Sequence, residues 1–486
     1  MPINNRNPEL RQPQRRWLRR LAAAAAAAMA TMATTMAHAC PHHLFAASLG
    51  QPPRLYSLVF DDATGAAAVA ARLPADAAHA RIALDAGRGN VYGVSLDKAA
   101  VASYEVVVAN STNATTNGNK EGEGVREGGV ETTTNVTLAF RTSVAAAGAC
   151  LNRTAAFVLP HPRFGRVYAA SWPGPGACAM ALSTTGAADG DGKGGGGGVL
   201  EEVVQSWRYD EKYTSGGIAG LALDQEGMTI YSADLEGEAL WAHSVSPDGT
   251  GRVVGLRGRF DLLSPPEDRD RRQRKRGVEG PSPLSPPQGP RRLVVHPNGR
   301  VLYVVLAAAN AVAAYSLDEA TRLPLAEISR HSLLPSEGAD PAAYRGAEVV
   351  LSMPSSSSSS EGDEEAMMPK YLWAAAAAAT EKEEGDPQAG GGFITVFGLK
   401  GETGEIRERP LARVATGART NAIAPAPWSE DWAAVADVGT GFVEMWRIEG
   451  GESDDDNTTT TAATARSVAR VDMPGEGCCG NVIWYD

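Results

Sequence analysis

The segment that decides the fold is IAGLALDQEGMTIYSADLEGEALWAHSV, residues 218–245. It contains three apolar runs that are separated by the short polar stretches DQEG and DLEGE. In the central run, TIYSA at residues 229–233, apolar and polar side chains follow the two-residue period of half-buried β-strands. The segment therefore predicts a small sheet of consecutive strands joined by tight turns.

The same plan recurs seven times along the chain. The copies begin at these residues: His42, Arg81, Ala155, Ile218, Arg292, Glu348 and Asn421. One such sheet cannot bury both of its faces, so the copies must pack on one another, and a radial arrangement limits the exposed strand edges. We therefore predict an all-β fold, a seven-bladed β-propeller. Its last stretch, residues 468–486, is expected to close the ring by pairing with an N-terminal strand.

The composition is typical of a globular chain. The 486 residues are 43% hydrophobic and 21% charged, and the net charge of −12 argues against a nucleic-acid partner, which would require a basic face. The alanine run at residues 374–379 favours a helix by propensity alone. We nevertheless expect strand and loop there, because pairing within a blade overrides this weak preference.

Residues 1–39 have the features of a signal peptide. A cluster of arginines at residues 15–20 precedes an alanine-rich stretch, and Ala37-His38-Ala39 offers an A-x-A cleavage site. The mature chain would begin at Cys40, carry a net charge of −17 and be secreted or attached to the cell surface. The alternative is a mitochondrial transit peptide, because the leader is rich in arginine and nearly free of acidic residues. No other segment is long and apolar enough to predict a membrane span.

Residues 40–486 are predicted to form a single propeller with six low-complexity insertions on its surface. These insertions are residues 110–134, 187–199, 264–290, 355–365, 381–391 and 450–465. The third contains the basic cluster RDRRQRKR at residues 269–276, which has three interpretations: a solvated loop, a proprotein-processing site or a nuclear import signal.

Sequons and cysteines bear on the compartment. N-x-S/T glycosylation sequons occur at Asn110, Asn113, Asn135, Asn152 and Asn457. In an oxidising compartment, disulfides are expected between Cys150 and Cys178 and between Cys40 and one of the neighbours Cys478 and Cys479. The alternative is buried free thiols in an intracellular protein. The cysteines form no C-x-x-C motif and lack a nearby histidine pair, so we predict neither a metal site nor a cofactor.

The repeats from His42 to Asp486 resemble the seven-bladed lactonase-type propellers, and specifically the fungal carboxy-cis,cis-muconate cyclases. The resemblance is carried by residues 205–234, 290–310, 344–352, 421–446 and the terminal NVIWYD. It implies a cycloisomerisation without a cofactor, in which one carboxylate of 3-carboxy-cis,cis-muconate adds across a double bond to form a lactone. It also implies a small carboxylate as the ligand of the central channel.

The resemblance further implies which residues form the site. Arg291 in a P-R motif and Arg345 in a Y-R motif match the family's arginines, whose planar guanidinium groups suit carboxylates. Ala219 and Ala307 replace a family histidine and glutamate, and Arg419 replaces a second histidine. Loss of a general acid or base typically slows a reaction about 100- to 10,000-fold. The anion-holding half of the site is therefore retained and the acid/base half is not.

His79 is the best remaining candidate for proton transfer, and its alternative is a structural histidine at a strand start. His161 and His296 precede proline and are predicted to be turn residues, and Asp234 and Asp437 are predicted to cap turns. Glu348 has three interpretations: a partner of Arg345, an acid, or a plain carboxylate at a strand start.

Two classes of function follow. The first is a lactonising cycloisomerase or lactonase that acts on a carboxylate. The second is a secreted, glycosylated propeller that retains the carboxylate-binding scaffold without the chemistry and acts as a cell-surface binding or adhesion protein. The sequence indicates no particular oligomeric state.

Overall fold

The structure is a computed structural model. It describes residues 41–113, 131–173, 176–185, 198–209, 217–262, 287–354, 368–379, 391–417, 419–450, 463–473 and 477–486. The predicted signal peptide, Cys40, the basic cluster and Asn457 lie outside these residues.

The described residues form seven four-stranded antiparallel sheets. Blade 1 contains β1 (His42–Ser48), β2 (Arg54–Asp61), β3 (Ala66–Pro74) and β28 (Cys478–Trp484). Blade 2 contains β4 (His79–Leu84), β5 (Asn90–Ser95), β6 (Ala100–Asn113) and β7 (Glu131–Ala145). Blade 3 contains β8 (Ala155–Pro160), β9 (Arg166–Ser171), β10 (Cys178–Thr184) and β11 (Leu200–Arg208). Blade 4 contains β12 (Ile218–Leu223), β13 (Thr229–Asp234), β14 (Ala239–Val245) and β15 (Val253–Asp261).

The remaining three blades follow the same order. Blade 5 contains β16 (Pro290–Val295), β17 (Val301–Leu306), β18 (Ala311–Leu317) and β19 (Pro324–Ser332). Blade 6 contains β20 (Tyr344–Leu351), β21 (Tyr371–Ala378), β22 (Gly392–Lys400) and β23 (Glu405–Thr416). Blade 7 contains β24 (Thr420–Pro425), β25 (Trp432–Asp437), β26 (Phe442–Glu449) and β27 (Thr464–Asp472). Two short 3₁₀ helices lie between strands, at Gly148–Cys150 and Pro341–Ala343.

The seven inner strands, one from each blade, surround a central channel. They are β28, β4, β8, β12, β16, β20 and β24, and each contacts the inner strand of the next blade. Hydrophobic clusters lie between neighbouring blades, so each blade buries both faces against its neighbours. The all-β, seven-bladed prediction is confirmed.

The ring closes where the two ends of the chain meet. β28 pairs with β1 in antiparallel register, with Leu44 opposite Trp484. Beyond the ladder, the Asp486 carboxylate accepts hydrogen bonds from the backbone N–H of His43 at 2.9 Å and lies 2.6 Å from Nδ1 of His42. The predicted closure by the last stretch is therefore observed, and it joins residues more than 440 positions apart in sequence.

The alanine run forms part of β21, as predicted. Ala374 and Ala376 are fully buried in a cluster shared with blade 5, whereas Ala375 is fully buried in a cluster shared with blade 7. The alternation follows the two-residue period of a strand whose two faces are both covered. Small side chains here let the neighbouring blades approach closely, and this packing outweighs helix propensity.

Six of the inner strands carry a β-bulge at the same place. The residue skipped by the ladder is the following in blades 2 to 7: Ala80, Ala156, Ala219, Arg291, Ala347 and Asn421. The residues that follow the bulges are structurally equivalent, and they are Arg81, Phe157, Gly220, Arg292, Glu348 and Ala422. Bulges at a rim re-aim side chains and are common next to functional sites.

Two sequence predictions need correction. Residues 110–113 and 131–134 are not loop, because the ladder between β6 and β7 continues through Asn113 opposite Glu131, and β27 likewise begins inside the predicted last insertion, at Thr464. Cys478 is bonded to its neighbour Cys479 rather than to Cys40, because both sulfur atoms lie together at the buried start of β28. Cys150 is bonded to Cys178, the other pairing considered.

In the described part of the chain, no helix has the length and apolar character needed to cross a membrane.

The close approach of blades 4 and 5 at Gly220 generates a first prediction. A Cβ added at Gly220 would lie 2.5 Å from the carbonyl oxygen of Arg291, whereas a Cβ at Gly89 would meet no atom within 4 Å. We expect Gly220→Ala to lower the free energy of unfolding by about 2 kcal/mol, because backbone must move apart, and Gly89→Ala to change it by less than about 0.5 kcal/mol. Urea unfolding of both variants measures this; equal stabilities would contradict the packing described.

Candidate functional site

The most notable polar contact in the channel is an ion pair between Arg81 and Glu348. Nη1 of Arg81, on β4, donates to Oε2 of Glu348, on β20, at 2.5 Å. β4 belongs to blade 2 and β20 to blade 6, which are not neighbours in the ring. The ion pair therefore crosses the central channel.

Two further side chains complete what we call the charged layer, defined as Arg81, Phe157, Arg292 and Glu348. Nε of Arg292 lies 3.8 Å from Oε2 of Glu348 and has no hydrogen-bond partner among the described residues. The guanidinium carbons of Arg81 and Arg292 lie 4.8 Å and 5.1 Å from the centre of the Phe157 ring. An aromatic face at this distance favours a cation, so Phe157 stabilises both arginines.

The charged layer is largely removed from solvent. The side chains of Glu348, Arg292 and Arg81 are 2%, 9% and 15% exposed. Burial lowers the pKa of Arg292 well below its usual value, the charge of Arg81 lowers it further, and Glu348 opposes both effects. The neighbouring Arg291 shows the same pattern, since burial lowers its pKa while Glu348 raises it and Arg81 lowers it.

Three guanidinium groups thus share the field of one carboxylate. For Arg291 and Arg292, the loss of hydration and the repulsion from Arg81 are only partly offset by Glu348, so the pKa of each is lowered. A bound anion would supply the missing negative charge, and guanidinium donors suit carboxylates in particular. The arrangement is therefore chemically suited to hold a carboxylate inside the channel.

The arginines predicted from the sequence lie at one end of the propeller, where the inner strands begin. Arg291 is the bulged, half-buried residue of β16, and Arg345 is the second residue of β20. Nη1 of the exposed Arg345 donates to the carbonyl oxygens of Ala342 at 3.1 Å and Tyr344 at 2.7 Å. Glu348 is therefore the partner of Arg81, and the interpretation that paired it with Arg345 is wrong.

Arg419 lies at the same end, directly before β24. Its backbone N–H donates to Oδ1 of Asp437 at 2.6 Å, and the other carboxylate oxygen of Asp437 accepts from the backbone of Thr440 and Gly441 at 2.6 Å and 2.9 Å. The predicted turn cap at Asp437 is confirmed. At Asp234, Oδ1 accepts from the N–H of Gly237 at 2.9 Å, which confirms the second cap.

Ala219 and Ala307 also lie at this end. Ala219 is the bulged residue of β12, and Ala307 directly follows β17, where its N–H donates to Gly289 at 2.7 Å and its carbonyl accepts from Gly346 at 3.0 Å. Both alanines are buried. The positions matched to the resembled family therefore converge on one rim of the channel, and the two alanines offer no proton donor there.

His79 is buried inside blade 2. Its Nε2 lies 2.7 Å from the Tyr104 hydroxyl, which also accepts the backbone N–H of Asp76 at 2.9 Å, and only 1% of the residue is exposed. Burial lowers the pKa of His79 to about 4, so the ring is neutral at pH 7. This environment is that of a structural histidine, and it gives the proposed proton-transfer role no support.

The two histidines before proline act in turns, as predicted. Nδ1 of His161 accepts the backbone N–H groups of Arg163 at 3.1 Å and Phe164 at 3.0 Å. Nδ1 of His296 accepts the N–H of Asn298 at 3.3 Å. Neither histidine therefore belongs to the channel chemistry.

Other predicted sites are only partly described. The sequon residues Asn135 and Asn152 are exposed, which is compatible with modification, whereas Asn457 lies outside the described residues and the side chains of Asn110 and Asn113 are not described. Within the described residues, no three histidine, cysteine, aspartate or glutamate side chains are grouped so as to hold a metal ion.

The sequence analysis missed Arg81, Phe157 and Arg292. A signal for them does exist, because Arg81, Arg292 and Glu348 each stand directly before an apolar strand core: IAL, LVV and VVL. Aligning the repeats on these cores places the three charged residues in register. What the alignment does not give is the distance across the ring, since that depends on the number of blades and on their closure.

Comparison with known proteins supports the fold and part of the resemblance. A family model described as "Lactonase, 7-bladed beta-propeller" matches residues 273–356. The carboxy-cis,cis-muconate cyclase of Neurospora crassa is 26% identical over 296 residues, which are 60% of this chain and 64% of that protein. The match thus spans less than two thirds of the relative's length.

Solved structures share the architecture over nearly the whole chain. A putative 6-phosphogluconolactonase of Bacteroides fragilis aligns with a TM-score of 0.57 at 13% identity, covering 92% of this chain and 98% of that one. The periplasmic gluconolactonase of Pseudomonas aeruginosa aligns with a TM-score of 0.54 at 13% identity, covering 92% and 99%. At such identities the likeness establishes the fold alone. The chain is a seven-bladed β-propeller in fold, one segment of it matches the lactonase family model, and its sequence is similar in part to that of a muconate cyclase.

Proposed function

We propose that the protein binds a small di- or tricarboxylate in its central channel and does not convert it at the rate of a cyclase. The observation that carries this proposal is the presence of two largely buried guanidinium groups, those of Arg81 and Arg292, beside the single carboxylate of Glu348 in the channel. The ligand would add charge-assisted hydrogen bonds to donors that have no partner among the described residues, such as Nε of Arg292.

The similarity to the Neurospora crassa enzyme suggests the kind of carboxylate, because that protein is named for carboxy-cis,cis-muconate. Lactone formation would require a proton donor for the carbanion that develops during ring closure. Ala219 and Ala307 cannot supply a proton, and His79 is shielded in blade 2 by Tyr104. These residues support binding without efficient turnover.

We also propose that the protein is secreted and acts outside the cell as a binding protein. The support is the arginine-rich, alanine-rich leader with Ala37-His38-Ala39 at its end, together with the exposed sequon residues Asn135 and Asn152. An extracellular location would also suit the disulfide between Cys150 and Cys178.

Calorimetric titration with 3-carboxy-cis,cis-muconate tests the central proposal. We expect binding to the mature chain, and we expect Arg292→Gln to weaken it at least about tenfold because a buried charged donor is lost. The control is Arg300→Gln, since Arg300 is exposed and 3.5 Å from Glu319 at the surface. The substrate's ultraviolet absorbance should stay constant at micromolar protein. Absence of binding would refute the ligand class, and rapid loss of absorbance would refute the lack of turnover.

N-terminal sequencing of the protein collected from the culture medium tests the location. The expected first residue is Cys40, directly after the A-x-A site. Retention of the protein inside the cell, or a first residue well before or after Cys40, would contradict the proposed secretion. A mitochondrial fraction containing the processed chain would support the transit-peptide alternative instead.

The buried state of His79 makes stability depend on pH. The pKa of His79 is about 4 in the folded protein and 6.5 in the unfolded chain, so between these values the unfolded chain binds more protons. The contribution of the neutral His79 ring to the free energy of unfolding is therefore fully present above pH 6.5 and is lost as the pH falls toward 4. We expect His79→Gln to remove roughly 2 kcal/mol of the stability difference between pH 7 and pH 4.5.

Urea unfolding of both proteins at the two pH values measures this effect. His243, whose pKa is also about 4, and Asp234, whose pKa is raised by burial to about 6, are present in both proteins and cancel in the comparison. Carboxylate binding at pH 7 should change less than about twofold. If His79→Gln instead abolished binding and left the pH dependence of stability intact, His79 would belong to the ligand site.

A further inference from the structure

The channel contains a cavity of about 370 Å³ at the end where the inner strands finish. Leu84, Pro425 and Trp484, which line it, are the last residues of β4, β24 and β28. Arg81 also lines it, nearer the middle of the channel. The cavity is therefore on the far side of the charged layer from Ala219 and Arg345, which lie where inner strands begin.

Apolar residues form more than half of the cavity wall. They include Ile423, Pro425, Ile483 and Trp484, with the half-exposed Met353 at the rim. The indole N–H of Trp484 donates to the carbonyl oxygen of Ala424 at 2.8 Å, so its polar atom is bonded within the protein, and 7% of the residue remains exposed. Such walls suit a hydrocarbon or aromatic body.

The polar groups in the walls are occupied within the protein. Nδ2 of Asn481 donates to Ile82 at 2.7 Å, and its Oδ1 accepts the N–H of Val482 at 2.8 Å. The carboxylate of Asp85 accepts from Gly89 at 2.8 Å and from the amide of Asn90 at 3.1 Å. These groups offer little to a ligand with several charges.

Arg81 is different, because its guanidinium has donors to spare. It pairs with Glu348 through Nη1 and makes no other hydrogen bond with the described part of the chain. The other arginine of the cavity, the exposed Arg88, donates to the carbonyl oxygen of Tyr485 at 2.5 Å. The cavity thus presents one available cation at its floor and apolar surface around it.

We propose that this cavity binds a monocarboxylate with an apolar body of about the size of benzoate, with its carboxylate on Arg81 and its body against Trp484 and Ile423. A second or third carboxylate would meet apolar residues or polar groups that are already bonded within the protein, and would lose its hydration without compensation. The inference deepens the proposed function, because it rests on the channel arginines as anion-binding groups. It adds a second ligand class at the opposite end of the channel from the rim that holds Ala219 and Arg345.

A ligand-observed NMR titration of the mature chain with benzoate tests this inference. A ligand of this size should bind with a dissociation constant of about 1 mM. Benzyl alcohol, which lacks the charge, should bind at least about tenfold more weakly. Arg81→Gln should abolish the preference for benzoate over benzyl alcohol.

Two variants locate the ligand. Ala424→Phe places a ring in the cavity and should abolish benzoate binding while 3-carboxy-cis,cis-muconate still binds. Met353→Ala removes an exposed side chain at the rim, so it should fold normally and weaken benzoate about threefold. Its matched control is Leu256→Ala, an equally exposed apolar residue on β15. If Ala424→Phe does not fold, the effect of Met353→Ala on benzoate binding alone tests whether the cavity is the binding site.

The outcomes separate this inference from the proposed function. If the tricarboxylate binds and benzoate does not, the inference is wrong and the proposed function stands. If neither binds, both are wrong. If benzoate binds Ala424→Phe and Met353→Ala as tightly as it binds the parent chain, or if benzyl alcohol binds as tightly as benzoate, the cavity is not the site.

Discussion

The pairing of β1 with β28 is the interaction on which the rest of the molecule depends. Blade 1 is built from both ends of the chain, so without β28 it has no inner strand and the channel wall is open between blades 7 and 2. β28 is also bonded to both neighbours, through Asn481 to Ile82 of blade 2 and through Trp484 to Ala424 of blade 7. Closure and channel geometry are therefore set by the same strand.

A closed ring brings together side chains from blades that never touch through their sheets. The Arg81–Glu348 pair, from blades 2 and 6, is the clearest case. Removing one partner of such a buried pair typically costs about 3 to 5 kcal/mol, because the other charge is left without compensation. Arg81 and Arg292 both lie beside the single carboxylate of Glu348, and the proposed carboxylate binding rests on this geometry.

The fold could be predicted from the sequence because it repeats. Seven copies of one strand pattern fix the blade number, and the stretch left over at the C-terminus predicts the closure. Single contacts across the axis could not be predicted in this way, since Arg81 and Glu348 are 267 positions apart and no local pattern joins them. The resemblance directed attention to Arg291 and Arg345, whereas the closest contacts are made by Arg81 and Arg292.

The role of His79 could not be predicted from the sequence. A histidine at a strand start was compatible with either proton transfer or a structural role, and only the contact with Tyr104 distinguishes the two. The same holds for Cys478, for which Cys40 was the expected partner in an oxidising compartment and the structure has the adjacent Cys479. In both cases the decisive quantity is a side-chain distance, which a period or a motif does not encode.

The bulges explain how such a propeller can change its chemistry without changing its fold. A bulged residue is left out of the ladder, so Ala219 can stand where the resembled family has a histidine while the strand register is unaffected. Gly220, the next residue, packs on the backbone of Arg291 and has no such freedom. Arg292 and Glu348 follow their bulges within the ladder, and their positions are fixed by the blades themselves. The proposed anion binding is therefore tied to residues that the ladder fixes, whereas the position matched to the family's histidine is one that the ladder leaves free to vary.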